Sequence, residues 1–384
     1  MLYGDTETSA ALRHEVPIVI GDPFLLVADA EHTWIQASSL EAARLAACRP
    51  DAQLVDIGDL GVRELLQSDL QRDQVMLELA ARAAAATGVR EAIVDFAFPL
   101  GLADRLRADG ITLRVDAAAI TARRRRKSAA ELAGIRRAAG AAGAAMTAAA
   151  ELLARTQRDG DRLVLDGAAL TAERVRAAMR DAAWARGAIL PEDVIVASVW
   201  QGFGHEAGSG PLPAALPIQV DVWPHDEASG CWADMTRTFV VCGEPPAQVR
   251  RQETLVREVF DAARAAVRSG VTGAELHAAV CERFEAEGYA TQRTGPGEDP
   301  QEGFQFSLGH GVGLRVHEAP GLGQTGREPF VAGDVVAIEP GLWDGTVGGV
   351  RYEDLLLVTD HGCETLTDFG YSLDPGDRER PAVR

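Results

Sequence analysis

Four acidic residues interrupt stretches that otherwise read as β-strands, and they limit what this chain can fold into. Asp221 breaks IQVDVW, Asp234 lies in WADMTRTFVV, Glu339 ends VVAIEPG and Glu353 sits in GVRYEDLLLV. A carboxylate in a half-buried strand needs a partner, because an unpaired buried charge is strongly unfavourable. Each acid alone reads as a salt-bridged core residue. Four in one half of the chain, together with a glycine-flanked histidine, point instead to shared cations. Converging carboxylates repel one another, and divalent metal relieves that repulsion.

The histidine is His310, within SLGHGVGLRVHEAPG, where Gly309, Gly311 and Gly313 surround it and His317 follows. Three such glycines would cost a helix roughly 1 kcal/mol each, so this stretch is not helical. They read as positions where substrate and metal approach the backbone. Four carboxylates and one imidazole form a hard, oxygen-rich donor set that suits Mn²⁺ better than a thiolate-bound structural zinc. One ion does not need so many acids. Two ions roughly 3.5–4 Å apart, bridged by some of the carboxylates, use them all and activate a shared hydroxide. The residues alone therefore predict a dinuclear metallohydrolase.

Competing chemistries lack their motifs. His205-Glu206 and His317-Glu318 miss the second histidine of H-E-x-x-H, and Ser209 in AGSGP misses G-x-S-x-G. No phosphate-binding loop occurs. A formal charge of −19 argues against sequence-independent binding to nucleic acid or an anionic membrane. No apolar run is long enough to span a bilayer, and the N-terminus lacks a secretory pattern. The five cysteines (Cys48, Cys231, Cys242, Cys281 and Cys363) form no C-x-x-C pair and suit a reducing compartment. The expected location is the cytoplasm.

At 384 residues, two domains are the default expectation. Residues 1–122 alternate strands and helices, as in an α/β domain: strands at 24–28 and 33–36, a helix over 71–87 ending at Gly88, a strand at 92–96 and a helix through Arg107. Arg123 to Lys127, which includes the only lysine, reads as a solvated linker. Ser128-Ala-Ala-Glu131 is a capping box that opens a long alanine-rich helix to about Leu153, and Thr272-Gly-Ala-Glu275 opens another. Strands are expected at 194–199, in a hairpin over 218–223 and 231–241, at 335–338, and as one strand over 350–358. From residue 128 onward the organisation is α+β.

VDVWP, ADMTRTF, GHGVGLRVHE, AIEPG and GVRYED, in that order, resemble the signature of the M24 metallopeptidases. These pita-bread enzymes include aminopeptidase P, prolidase and methionine aminopeptidase. The resemblance covers about 127–367. It implies a pita-bread (creatinase/aminopeptidase) catalytic domain over 128–372, behind a creatinase-like N-terminal domain over 1–122. Matched position by position, it implies Asp221, Asp234, His310, Glu339 and Glu353 as ligands of two divalent ions. Mn²⁺ comes first, with Co²⁺, Zn²⁺ and Fe²⁺ as alternatives. Asp234 and Glu353 would bridge, Asp221 would complete one ion, and His310 with Glu339 the other.

The same resemblance gives Glu339 a proton-shuttling role, His317 the stabilisation of the tetrahedral intermediate and His205 a contact with substrate. Arg351 matches a substrate-facing or supporting arginine, and Thr236 a residue supporting the ligands. Two departures stand out: Phe306 occupies a position where Xaa-Pro enzymes usually carry another histidine, and Tyr352 stands where an aliphatic residue is common. The implied activity is hydrolysis of short peptides, as an Xaa-Pro dipeptidase or aminopeptidase, in a homodimer. The alternatives are hydrolysis of a small non-peptide amide and a non-catalytic binding protein of the same fold.

Overall fold

The computed structural model describes residues 1–202, 205–295, 297 and 301–377. Two compact units divide the chain at Arg124. In the first, Leu2–Gly4, Phe24–Ala28, Thr33–Ala37 and Gln53–Asp56 form a sheet in that order, whose last pair is parallel. The helices Arg72–Thr87 and Leu100–Ala108 bury Leu79, Leu102 and Leu106 in one cluster with Leu25 and Val27 of the sheet. Gly88 ends the first of these helices in a left-handed conformation (φ 74°), the C-terminal stop expected of it. The strand expected at 92–96 runs instead from Glu91 to Val94, and Phe96 is exposed.

The second unit begins with the predicted capping box. The Ser128 hydroxyl accepts a hydrogen bond from the Glu131 N–H, and the Ser128 N–H donates to the Glu131 carboxylate. Two orphan donors are thereby satisfied at the start of the helix Ala129–Ala154. Its alanines let the helix Ala172–Trp184 pack closely against it. Another of its faces, Ile135, Ala138 and Ala139, covers Val312, Val335, Ala337 and Leu355 of a sheet. A second helical pair, Ala247–Ala266 and Gly273–Ala286, buries Val256, Phe260, Val280 and Phe284 against Val336, Ile338 and Leu356. The reading from sequence assigned no element to 247–266.

Between these helical layers lie two antiparallel sheets. One has the order Ile195–Ala197, Ile218–Val222, Met235–Phe239. The other has the order Glu318–Gly321, Gly309–Gly311, Val335–Ile338, Asp354–Val358, Cys363–Thr365. The single strand expected over 350–358 is two strands, Val350–Arg351 and Asp354–Val358, which pair with different partners. The break at Tyr352-Glu353 is where the chain crosses between sheets: the Glu353 N–H donates to the Thr236 carbonyl at 3.1 Å. Arg237, fully buried, ties the crossing. It donates to the carbonyls of Thr236, Glu353, Phe369 and Gly370 and to the carboxylate of Asp354.

The basic run lies where the two units divide, as expected of a linker, and Arg123 and Arg126 are exposed, but Arg125 and Lys127 are not solvated. Arg125 lies at the end of the helix Ala117–Arg125, buried, and donates twice to Asp334 and once to the Pro329 carbonyl. Lys127 is also buried and paired with Glu318. The acids lie about 200 residues further along, which charge patterning along the chain could not reveal. Removing one partner of a buried pair strands the other, at a typical cost of about 3 kcal/mol or more. Lys127→Met should therefore weaken resistance to chemical denaturation by about 3 kcal/mol, and adding Glu318→Leu should restore much of it. Additive losses in the double variant would show that the pair is not coupled.

Candidate metal centre

The five predicted ligands come together at the seam between the two sheets. Asp221 lies within Ile218–Val222 and Asp234 directly before Met235–Phe239; the register sets Asp221 opposite Thr236. His310 is central in Gly309–Gly311, opposite Ala337, and Glu339 directly follows Val335–Ile338. Ile338 pairs with Asp354, which brings Glu353 beside Glu339. Three of the four acids thus sit just off strand ends, where the side chain is freed from strand alternation. Only Asp221 lies inside a strand.

The His310 Nε2 is 3.7 Å from Asp234 Oδ2, 3.7 Å from Glu339 Oε1 and 4.0 Å from Glu353 Oε1. These gaps exceed a hydrogen bond. The His310 Nδ1 lies 3.2 Å from the Gly311 carbonyl, which aims Nε2 at the carboxylates. Burial, reinforced by nearby His317, pulls the His310 pKa down to about 3, so the ring is neutral as a ligand must be. The two rings meet edge to face at 4.2 Å.

The carboxylates are short of partners. Asp221, Asp234 and Glu353 each keep one buried oxygen with no hydrogen bond. Burial, and then the neighbouring acids, push the pKa values of Asp234 and Glu353 well above the usual carboxylate range. Glu339 is pushed up to about 7, first by burial and then by Asp221, against the pull of Arg351. Arg351 is ion-paired with Asp221 and lies 3.5 Å from Glu339. One guanidinium does not balance four acids. Asp221, Asp234 and Glu353 offer atoms close enough to share an ion, and so do His310, Glu339 and Glu353. The orphaned oxygens and the donor chemistry fit divalent cations.

Thr236, expected to support the ligands, donates to Glu353 at 2.7 Å. His205, His317 and Arg351 line a cavity of about 460 Å³ that also reaches His310 and Glu339. The glycines have a role beyond the expected one. A Cβ at Gly309 would meet the Ala337 carbonyl at 2.0 Å, and one at Gly313 would strike Glu318 and Lys127. They admit neighbouring backbone and a buried ion pair, and Gly309 also lines the cavity. Reasoning from sequence also missed His277, whose Nδ1 accepts from the Leu308 N–H at 3.3 Å and steadies the approach to His310. No motif marked it, because its partner lies 31 residues away.

Residues 133–360 match the sequence profile of metallopeptidase family M24. The chain belongs to metallopeptidase family M24. Among relatives of known sequence, it is 37% identical over 135 residues to the Xaa-Pro dipeptidase of Pyrococcus furiosus, a stretch covering 35% of each chain. It is 36% identical over 141 residues to the uncharacterized peptidase YqhT of Bacillus subtilis, covering 36% of each. These matched stretches span little more than a third of the relatives' length.

Two solved structures share the whole architecture. The Xaa-Pro dipeptidase from Bacillus anthracis superposes with a TM-score of 0.75 at 20% identity, covering 95% of this chain and 93% of that one. The prolidase from Pyrococcus horikoshii gives 0.73 at 21%, covering 94% and 92%. At such identities the likeness establishes the fold: the M24 pita-bread fold, together with the α/β unit that precedes it.

Metal should stabilise the protein, and more so at higher pH. A carboxyl raised from its ordinary 4.3 or so to about 7, as Glu339 is, favours the fold while protonated. That contribution is present below the ordinary value and is lost as pH rises through 7. Metal needs the ionised form and offsets the loss. Saturating Mn²⁺ should raise the melting temperature by on the order of 5 °C at pH 7.5 and by less at pH 5.5. Equal shifts at both pH values in differential scanning calorimetry would contradict this.

Proposed function

We propose that this M24 protein hydrolyses the amide bond of short peptides, with Xaa-Pro bonds as the first substrates to test. One observation carries the reading: four carboxylates and a neutral imidazole converge, with three buried oxygens unpartnered, beside a dipeptide-sized cavity that His310 and Glu339 line. In this reading Asp221, Asp234, His310, Glu339 and Glu353 hold two divalent cations. Asp234 and Glu353 would contribute to both cations, Asp221 to one, and His310 with Glu339 to the other. The oxygen-rich set favours Mn²⁺, with Co²⁺, Zn²⁺ and Fe²⁺ as alternatives. When bound, the cations supply an activated water near neutral pH and polarise the scissile carbonyl.

The chain's own residues do the rest. Glu339 would take a proton from the attacking water and return it to the leaving amine. His317 and His205, both lining the cavity, donate hydrogen bonds to the carbonyl oxygen as negative charge develops on it. Arg351 fixes Asp221 and Glu339 relative to each other, and Thr236 orients Glu353. Residues 1–122 act in this reading as a creatinase-like N-terminal domain. A second reading, hydrolysis of a small non-peptide amide, is favoured by Phe306, which presents a hydrocarbon face to the cavity. A non-catalytic role is disfavoured, since a binding protein has no need of unpartnered buried carboxylates.

The Mn²⁺-loaded protein should release proline from Xaa-Pro dipeptides or the first residue from longer Xaa-Pro peptides. Asp234→Ala should abolish turnover with the fold retained by circular dichroism. His317→Ala should lower kcat by roughly 10²-fold, the scale of one lost transition-state donor. Turnover of an N-acyl amino acid with none of any proline peptide would favour the second reading. Near-normal turnover by Asp234→Ala would refute the ligand assignment.

A further inference from the structure

Away from the carboxylates, one wall of the cavity is hydrocarbon: Phe306, Leu342, Trp343 and Val350. Leu342 and Val350 face each other across the short strand pair Gly341–Leu342 and Val350–Arg351. Trp343 is fixed by reciprocal backbone hydrogen bonds with Gly303, at 2.9 and 3.1 Å. Phe306 stands edge-on to Phe304 at 4.8 Å, and Phe304 edge-on to Phe284 at 5.4 Å. His277 packs 5.6 Å from Phe304 and also holds the Leu308 N–H, two residues beyond Phe306. On its other side, the Arg351 guanidinium lies 5.9 Å from the Phe306 ring. The ring is therefore set in place before anything binds.

The charges lining the cavity are already committed. Arg351 is paired with Asp221 and lies against Glu339, and His310 faces the acids. The remaining polar lining is the imidazoles of His205 and His317 and the amides and hydroxyl of Gln219, Gln305 and Ser307. A charged substrate side chain laid on the Phe306 wall would lose its hydration and find the nearest guanidinium, Arg351, already paired with Asp221. An apolar side chain or ring would exchange water for aromatic and aliphatic contact.

We infer that Phe306 is a specificity-determining residue of this site: it selects substrates that lay an uncharged, apolar side chain or ring on the Phe306–Leu342–Trp343–Val350 wall, and rejects acidic and basic ones there. The inference rests on the reading of the site as an amide hydrolase. It adds the class of residue that reading leaves open. One apolar group in such a pocket discriminates by roughly 10- to 200-fold.

The test is a matched set of short peptides that places leucine, proline, aspartate or lysine in turn on either side of the scissile amide. Values of kcat/KM are compared for Mn²⁺-loaded wild type, Phe306→Leu and Phe306→His, alongside calorimetric binding of the same peptides. On one side of the amide, wild type should prefer leucine over aspartate and lysine by at least about tenfold. Phe306→Leu should keep most of that preference, and Phe306→His should lose most of it. No preference on either side, or identical discrimination by Phe306→Leu and Phe306→His, overturns the inference while leaving hydrolysis standing. Preferential binding of the apolar peptides without turnover of any amide overturns the hydrolase reading and upholds the pocket.

Discussion

Carboxylates repel, and four of them share a buried seam with a single guanidinium, Arg351. Everything around the site accommodates that conflict. Asp234 and Glu353 are pushed toward protonation by burial and by the neighbouring acids, and His310 is kept neutral. Three buried oxygens go without hydrogen bonds. A fold that only needed stability would have replaced such a cluster with apolar residues, since unpaired buried charge is among the costliest features a core can carry. The arrangement makes physical sense as a receptacle for positive charge.

What lets the conflict persist is a rigid frame. Arg237 gathers four carbonyls and the Asp354 carboxylate at the crossing between sheets, with no exposure to water. The Arg237 guanidinium lies 4.4 Å from the Tyr371 ring, whose hydroxyl pairs with Asp354. This network fixes the backbone on which Thr236 and Glu353 are mounted. On the opposite side, the Lys127–Glu318 pair packs against Gly313 and holds the segment that carries His317. A frame of satisfied polar groups thus surrounds a centre of unsatisfied ones.

Much of this was legible in the chain. The capping boxes at Ser128 and Thr272 marked their helices because the reciprocal hydrogen bonds need only local sequence. The acids at 221, 234, 339 and 353 were conspicuous because strand patterns exclude charge. Less was legible wherever the partner was remote. The basic run around Arg125 read as solvated since nothing nearby in sequence announces Asp334 or Glu318. The strand over 350–358 read as continuous because its break is imposed by the other sheet. The glycines near His310 read as making room for ligands, when the groups that crowd them belong to neighbouring chain.

By itself the sequence determined which groups had to meet: hard oxygen donors and one imidazole, in numbers that only cations could reconcile. Those are properties of residue type and count, and they travel with the chain. Tertiary structure alone decided how the groups meet and what stands beside them. Register set Glu353 beside Glu339, the sheet crossing put Arg351 on Asp221, and an aromatic stack spanning Phe284 to Phe306 gave the cavity its apolar wall. Each depends on contacts between residues tens to hundreds of positions apart, and no local pattern encodes which distant side chain will fill a given space.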